Sequence, residues 1–168
     1  MIDPITALCP NCGLCCDGTL FADVELRPSD QPARLARLGL SLHKKSKSKL
    51  AFPQPCSCFD GQLCRIYDDR PKRCRAFACG LLKKTEAGEI TAAVALKKIS
   101  RAKEQIDQTN ALLKSLRAQD ESVALLDRYT EAMSAPIDMA DPSAAKKRGQ
   151  LMRGYDRLMK FFLRDFLS

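Results

Sequence analysis

Several residue types and motifs that proteins use for catalysis and nucleic-acid binding are scarce in this chain. It contains no tryptophan and only 6% aromatic residues, so it offers few platforms on which nucleic-acid bases stack. Its one histidine, His43, excludes a Cys2His2 zinc finger and a three-histidine catalytic zinc site. It has no Gly-x-Ser-x-Gly elbow and no Walker sequence. The sequence therefore predicts no catalytic residues and favours a protein that is not an enzyme.

Long apolar segments are also absent. The first residues, Met1-Ile2-Asp3-Pro4-Ile5, lack the basic start and apolar run of a signal peptide. No stretch reaches the apolar length of a transmembrane helix. We therefore expect a cytoplasmic protein with no membrane span. Thiols stay reduced in that compartment, so clustered cysteines favour metal binding over disulfides.

Length, composition and charge are typical of a globular protein. A chain of 168 residues with 45% apolar and 29% charged residues buries a hydrophobic core without disulfides. The net charge of +8 fits an anionic partner such as nucleic acid or an acidic protein, and it fits solubility equally well. Nucleic-acid binding is therefore an alternative that the sequence does not favour. The sequence defines no protein partner and leaves a homo-oligomer open.

Cysteine, by contrast, is concentrated in the first half of the chain. All nine cysteines precede residue 80, in two groups: Cys9, Cys12, Cys15 and Cys16, then Cys56, Cys58, Cys64, Cys74 and Cys79. Thiolates are soft ligands that suit zinc and iron–sulfur clusters, and structural zinc sites commonly use Cys-x-x-Cys pairs. We expect the segment 9–13 to form such a knuckle, with its proline and glycine turning the backbone. The grouping predicts a metal site.

Two local spacings limit how many thiols share one ion. Cys15 and Cys16 are adjacent, and adjacent side chains usually point apart. Cys74 and Cys79 would lie about 140° apart around a regular helix. Either the helix begins after Cys74 or these two thiols serve different centres. The spacings thus favour either a polynuclear cluster with spare thiols or two four-ligand sites, and they do not choose between zinc and iron.

The cysteines and the residues between them resemble a known pattern. The run Cys-x-x-Cys-x-x-Cys-Cys at 9–16, the pair Pro55-Cys56 and the segment CRIYDDRPKRCRAFAC at 64–79 are similar to the CxxCxxCC cysteine-cluster family. That bacterial family consists of zinc- or iron-chelating domains, and the resemblance covers roughly residues 9–80. It implies eight metal ligands: Cys9, Cys12, Cys15, Cys16, Cys56, Cys64, Cys74 and Cys79. Cys58 departs from the pattern and is a candidate substitute for Cys56.

The resemblance also bears on function. Flagellin lysine methylases have a similar cysteine arrangement, which implies an iron–sulfur cluster, whereas the knuckle at 9–13 favours zinc. The cofactor is therefore zinc or iron. We expect Arg70 and Arg75, which lie between ligand candidates, to support the cluster through hydrogen bonds to sulfurs and carbonyls. The leading hypothesis is a metal-binding protein in redox sensing or electron transfer. The alternatives are a cluster-dependent modifying enzyme related to lysine methylation and a zinc-ribbon-like module for RNA or an acidic protein.

The pattern predicts a mainly α fold with two parts. A cysteine-rich, largely irregular metal-bound module with a small hairpin spans 1–88, and a helical hairpin or bundle spans 89–168 and packs on it as one compact domain. In the first part we expect a loop at 1–20, a strand at 21–26, a helix at 30–39, a basic loop at 44–49, a loop with a hairpin at 50–67 and a helix at 71–84. In the second part, apolar spacing predicts helices at 90–118, 121–133 and 143–167, with a linker at 134–142.

Overall fold

The computed structural model describes residues 4–118, 120–136 and 142–168. Its elements, in chain order, are α1 (Pro4–Cys12), β1 (Asp23–Glu25), α2 (Pro32–Arg37), β2 (His43–Ser46), β3 (Lys49–Pro53), a 3-10 turn (Tyr67–Asp69), α3 (Lys72–Ala76), α4 (Gly80–Glu86), α5 (Ala92–Ser115), α6 (Leu125–Ser134) and α7 (Pro142–Asp165). Helices dominate these residues and the sheet is small, which confirms the predicted mainly α fold.

A large hydrophobic core, the helical core, lies among α1 and α4–α7. The longest helices fill it with apolar side chains at helical spacing: Ile99, Ile106 and Leu113 of α5, and Leu151, Leu158 and Phe162 of α7, with Phe166 directly after α7. Lys98 near the start of α5 pairs with the buried carboxylate of Asp165 at the end of α7, so these two helices run in opposite directions. The predicted helices in the second part of the chain are confirmed. No helix among the described residues is long and apolar enough to span a membrane.

A second, smaller core, the sheet core, lies beside the three-stranded antiparallel sheet, whose order is β1-β3-β2. Phe52 on the central strand is 1% exposed and packs with Leu35, Leu40, Cys58 and Ile66. The predicted strand at 21–26 and helix at 30–39 are confirmed by β1 and α2, which are shorter than expected. The predicted linker at 134–142 begins where α6 ends at Ser134, and its residues 137–141 lie outside the described residues.

The basic segment 44–49 was expected to be a loop, and this expectation is wrong. Residues His43–Ser46 form the edge strand β2, and Lys49 begins β3. All four residues of β2 are exposed. Lysines suit such an edge because their charge discourages the unpaired backbone groups from pairing with another chain. The strand is therefore held by its pairing with β3 rather than by burial of its side chains.

The expectation of an irregular loop at 1–20 is also wrong for its first part. Residues Pro4–Cys12 form α1, because Ile5, Leu8 and Cys12 recur at helical spacing and pack against the helical core. Leu8 is 3% exposed. The helix ends where Gly13 takes a φ of 76°, a left-handed conformation that glycine adopts without strain. The module is thus more regular than the sequence suggested.

The predicted helix at 71–84 is interrupted. It divides into α3 and α4, because Phe77 is extended and Cys79 serves as the N-cap of α4. Phe77 packs edge-on against Phe21, with ring centroids 5.2 Å apart. The N–H of Gly80 donates to the carbonyl of Phe166 at 2.9 Å. Contacts with distant parts of the chain therefore outweigh the local helical preference.

We predict that Gly80→Ala destabilises the protein, because an added Cβ would lie 2.7 Å from the carbonyl oxygen of Asp165 and 2.5 Å from Ser168 Oγ. The end of α7 would have to move, and overpacking of this kind costs about 1–3 kcal/mol. Urea denaturation followed by circular dichroism measures the change. Gly154→Ala is the control, because that site has nothing within 4 Å and alanine favours a helix interior by about 0.5–1 kcal/mol. Equal effects of the two substitutions would contradict this packing.

Candidate metal centre

Helix α1 and the turn after it present the first four cysteines. Cys9 and Cys12 lie three residues apart in the last turn of α1, so they share one face of a helix, and Gly13 turns the backbone directly after it. The N–H of Cys16 donates to the carbonyl of Gly13 at 2.8 Å, which makes the following turn tight. Within it, the Cys15 thiol donates a hydrogen bond to the Cys16 sulfur. The four sulfurs therefore lie along one short, ordered segment.

The second cysteine stretch packs directly on the first. The N–H of Cys56 donates to the carbonyl of Cys16 at 2.8 Å. The ring of Phe59 lies so close to Gly13 that a Cβ there would be 2.8 Å from it. Helix α1 also packs against α4, whose N-cap is Cys79. These contacts bring two separate stretches of sequence to one region of the fold.

The cysteines of the second stretch divide between the two cores. Cys56, Cys64 and Cys74 pack against the sheet core, whereas Cys79 packs with Cys12 against the helical core. Cys79 Sγ also accepts a hydrogen bond from the N–H of Leu82 at 3.4 Å. Cys74 and Cys79, five residues apart, therefore pack against different cores.

Cys58 differs from the other cysteines in its surroundings. It is 0% exposed and belongs to the sheet core itself. Its thiol donates toward the carbonyl of Leu38, with a sulfur–oxygen distance of 3.8 Å. A buried thiol with an apolar environment and a carbonyl acceptor behaves as a small core residue. Cys56, two residues earlier, is only partly buried, and Cys16, Cys58 and Cys64 act on it electrostatically.

Burial and neighbouring sulfurs disfavour ionisation of the first thiols. Burial raises the pKa of Cys12 to about 12, and electrostatic interaction with Cys79 and Cys9 adds to this effect. The pKa of Cys15 is also raised well above its ordinary value, first by its hydrogen bond to Cys16 and then by burial. The neighbours that act on Cys12 thus come from α1 and from the start of α4.

The thiols at the sheet core influence one another in the same way. Burial, together with interactions with Cys16, Cys56 and Cys64, raises the pKa of Cys74 to about 12. Burial likewise raises the pKa of Cys56 to about 11 and lifts that of Cys64. A positive charge nearby would reverse this trend, because it stabilises the thiolate.

One such charge is present at Arg70. Its guanidinium offsets part of the rise in the pKa of Cys64 and Cys74, and it contributes to the lowered pKa of Cys16. The side chain is fixed, because Nε donates to the carbonyl of Tyr67 at 2.8 Å and the guanidinium lies 3.5 Å from the centroid of that ring. Arg75 points elsewhere, since its Nη1 lies 3.5 Å from the carbonyl of Asp68.

The donor atoms suit a soft metal, although the side chains are not arranged around an ion. All nine cysteines are free thiols. Across residues 4–118, 120–136 and 142–168, no three side chains of histidine, cysteine, aspartate or glutamate are placed to hold one metal ion. Thiolate sulfur is nevertheless the ligand type that zinc and iron–sulfur centres use. The sulfurs are thus gathered by the fold but would have to turn toward an ion to bind it.

A comparison with protein families gives one match for this region. A family model named CxxCxxCC and described as "Putative zinc- or iron-chelating domain" matches residues 8–94. This stretch contains all nine cysteines, the second half of α1, α2–α4 and the start of α5. No curated protein and no solved structure matches the chain. The similarity to flagellin lysine methylases therefore stays a prediction.

We predict that Cys16 is alkylated faster than Cys12 and Cys74 in the metal-free, reduced protein at neutral pH. The hydrogen bond from Cys15 is the main cause that lowers the pKa of Cys16, so a larger fraction of this thiol is ionised, and the thiolate is the nucleophile. Timed iodoacetamide labelling with peptide mass spectrometry gives the order of reaction.

Cys15→Ala removes the donor and should slow the labelling of Cys16. Cys9→Ser is the matched control, because Cys9 is not among the groups that shift the pKa of Cys16. Labelling of Cys16 that is no faster than that of Cys12, or that Cys15→Ala leaves unchanged, would show that this hydrogen bond does not control the thiol.

Proposed function

This chain belongs to the CxxCxxCC family of zinc- or iron-chelating domains, and we propose that it binds its metal through eight thiolates for redox sensing or electron transfer. The proposed ligands are Cys9, Cys12, Cys15, Cys16, Cys56, Cys64, Cys74 and Cys79. The observation that carries the proposal is the packing of two distant cysteine stretches on each other, through the hydrogen bond from Cys56 to Cys16, with every thiol free.

The raised pKa values of the partly buried thiols support the proposal, because these thiols need a nearby cation to ionise. A metal ion deprotonates the thiols that coordinate it, so binding exchanges thiol protons for metal–sulfur bonds. Arg70 assists because its fixed guanidinium offsets part of the negative charge that four or more thiolates create. Bound iron supplies one-electron chemistry, and bound zinc supplies a structural link.

The position of the sulfurs supports exchange with a partner. Cys9 is exposed, and the other proposed ligands are only partly buried, so none of them is sealed inside a core. Around them, Arg70 and the basic residues of α3, Lys72, Arg73 and Arg75, supply positive charge at the surface. Electron transfer and redox sensing both require such access for a second molecule.

Metal content decides this proposal. Protein purified without oxygen is analysed for zinc and iron, and its absorption spectrum is recorded before and after reduction. An iron–sulfur centre gives visible absorption that bleaches on reduction, which supports the redox role. Zinc alone supports chelation and removes the electron-transfer role. Protein that holds neither metal and whose cysteines are paired and unreactive would overturn the proposal.

We predict that Cys56→Ala lowers the metal content, whereas Cys58→Ala leaves it unchanged. Cys56 is partly buried and its backbone is hydrogen-bonded to that of Cys16, while Cys58 is 0% exposed in the sheet core. Loss of the buried sulfur at Cys58 should lower the free energy of unfolding by about 1 kcal/mol. Elemental analysis and urea denaturation measure the two effects. Metal lost from Cys58→Ala and kept by Cys56→Ala would make Cys58 the ligand instead.

A further inference from the structure

Resting on the proposed function, we infer that the eight thiols form two separate four-sulfur centres. The adjacent residues Cys15 and Cys16 belong to different centres. The helical-core thiols are Cys9, Cys12, Cys15 and Cys79. The sheet-core thiols are Cys16, Cys56, Cys64 and Cys74. Each set would bind one metal ion or one cluster, since four thiolates complete both a tetrahedral zinc site and a four-iron cluster.

The helical-core thiols come together through the packing of α1 on α4. Cys9 and Cys12 occupy the last turn of α1, and Cys79 is the N-cap of α4. The two helices are in contact, and Cys12 and Cys79 pack against the same hydrophobic core. Cys15 lies in the turn that starts at Gly13, and Cys12 and Cys9 act on it electrostatically.

The sheet-core thiols come together on the other side of that turn. The hydrogen bond from the N–H of Cys56 to the carbonyl of Cys16 fixes the backbones of these two residues beside each other. Cys56, Cys64 and Cys74 then pack against one core, the one that contains Phe52. Arg70 acts electrostatically on three members of this set, Cys16, Cys64 and Cys74.

The electrostatic neighbours divide in the same way. The sulfurs that act on Cys12 are Cys9 and Cys79, and those that act on Cys74 are Cys16, Cys56 and Cys64. The hydrogen-bonded pair Cys15 and Cys16 provides the contact between the sets. Two centres therefore account for the adjacency of this pair and for the separation of Cys74 from Cys79, whereas one polynuclear centre would have to span both cores.

The test counts zinc in full-length protein that has been stripped of metal, reduced and reloaded with zinc ions. Native mass spectrometry should find two zinc ions in the wild type and one in each paired variant, Cys12→Ser with Cys79→Ser, and Cys56→Ser with Cys74→Ser. Zinc X-ray absorption should show four sulfur ligands in every case. Cys58→Ala is the matched control and should retain two ions.

Wild type that binds two ions and loses both in either paired variant would overturn the division but leave chelation standing. Wild type that takes up no zinc and is purified without metal would overturn the proposed function itself.

A second measurement does not depend on the variants folding. Wild-type chains that carry a single zinc ion are alkylated and then fragmented in the mass spectrometer without prior proteolysis. All the thiols that zinc protects in one chain are thus identified together. The division requires that the four protected thiols all come from one set. Protection of Cys74 together with Cys79 in the same chain would overturn it.

Discussion

Reduced thiols packed beside one another in partly buried positions cannot ionise together without a cation, and this constraint shapes the first half of the molecule. Burial raises the pKa of Cys12 and Cys74 to about 12, so neither is a thiolate at neutral pH on its own. Zinc-finger peptides bind structural zinc with an apparent free energy of roughly 10–16 kcal/mol at pH 7, and this figure already includes deprotonation of the thiols. Burial thus keeps these thiols protonated, and a bound metal cation would allow them to ionise.

The protein gathers these sulfurs with ordinary packing. The backbone bond between Cys56 and Cys16, the ring of Phe59 over Gly13 and the contact of α1 with α4 involve no sulfur–metal bond. Part of the entropy cost of bringing distant thiols together is therefore met by folding, and the metal has mainly to turn side chains. Arg70 is also positioned by packing, because its stacking on Tyr67 fixes its positive charge before any metal binds.

Features with a local cause could be predicted from the sequence, and features with a distant cause could not. The apolar spacing of Leu151, Leu158 and Phe162 predicts α7, and the cysteine motifs predict the family and its metals. The Cys-Pro-x-Cys spacing favoured a loop at 1–20, so α1 was not predicted. The apolar residues Ile5 and Leu8, three positions apart, are the sequence signal for that helix. The break before α4 depends on Phe21 and Phe166, and the neighbours of each thiol depend on which core covers it. No local pattern records such contacts.

The order of synthesis adds a condition on when the molecule is complete. Gly80, directly after Cys79, has its hydrogen-bond acceptor at Phe166, and Lys83 reaches the carbonyl of Ser168 at 3.3 Å. Both acceptors follow α7 in the sequence, and they lie outside the family-matched stretch. Until they have been translated, α4 lacks these two contacts. The start of α4 beside Cys79 therefore gains these hydrogen bonds only after α7 has been made, although Cys79 itself is translated early.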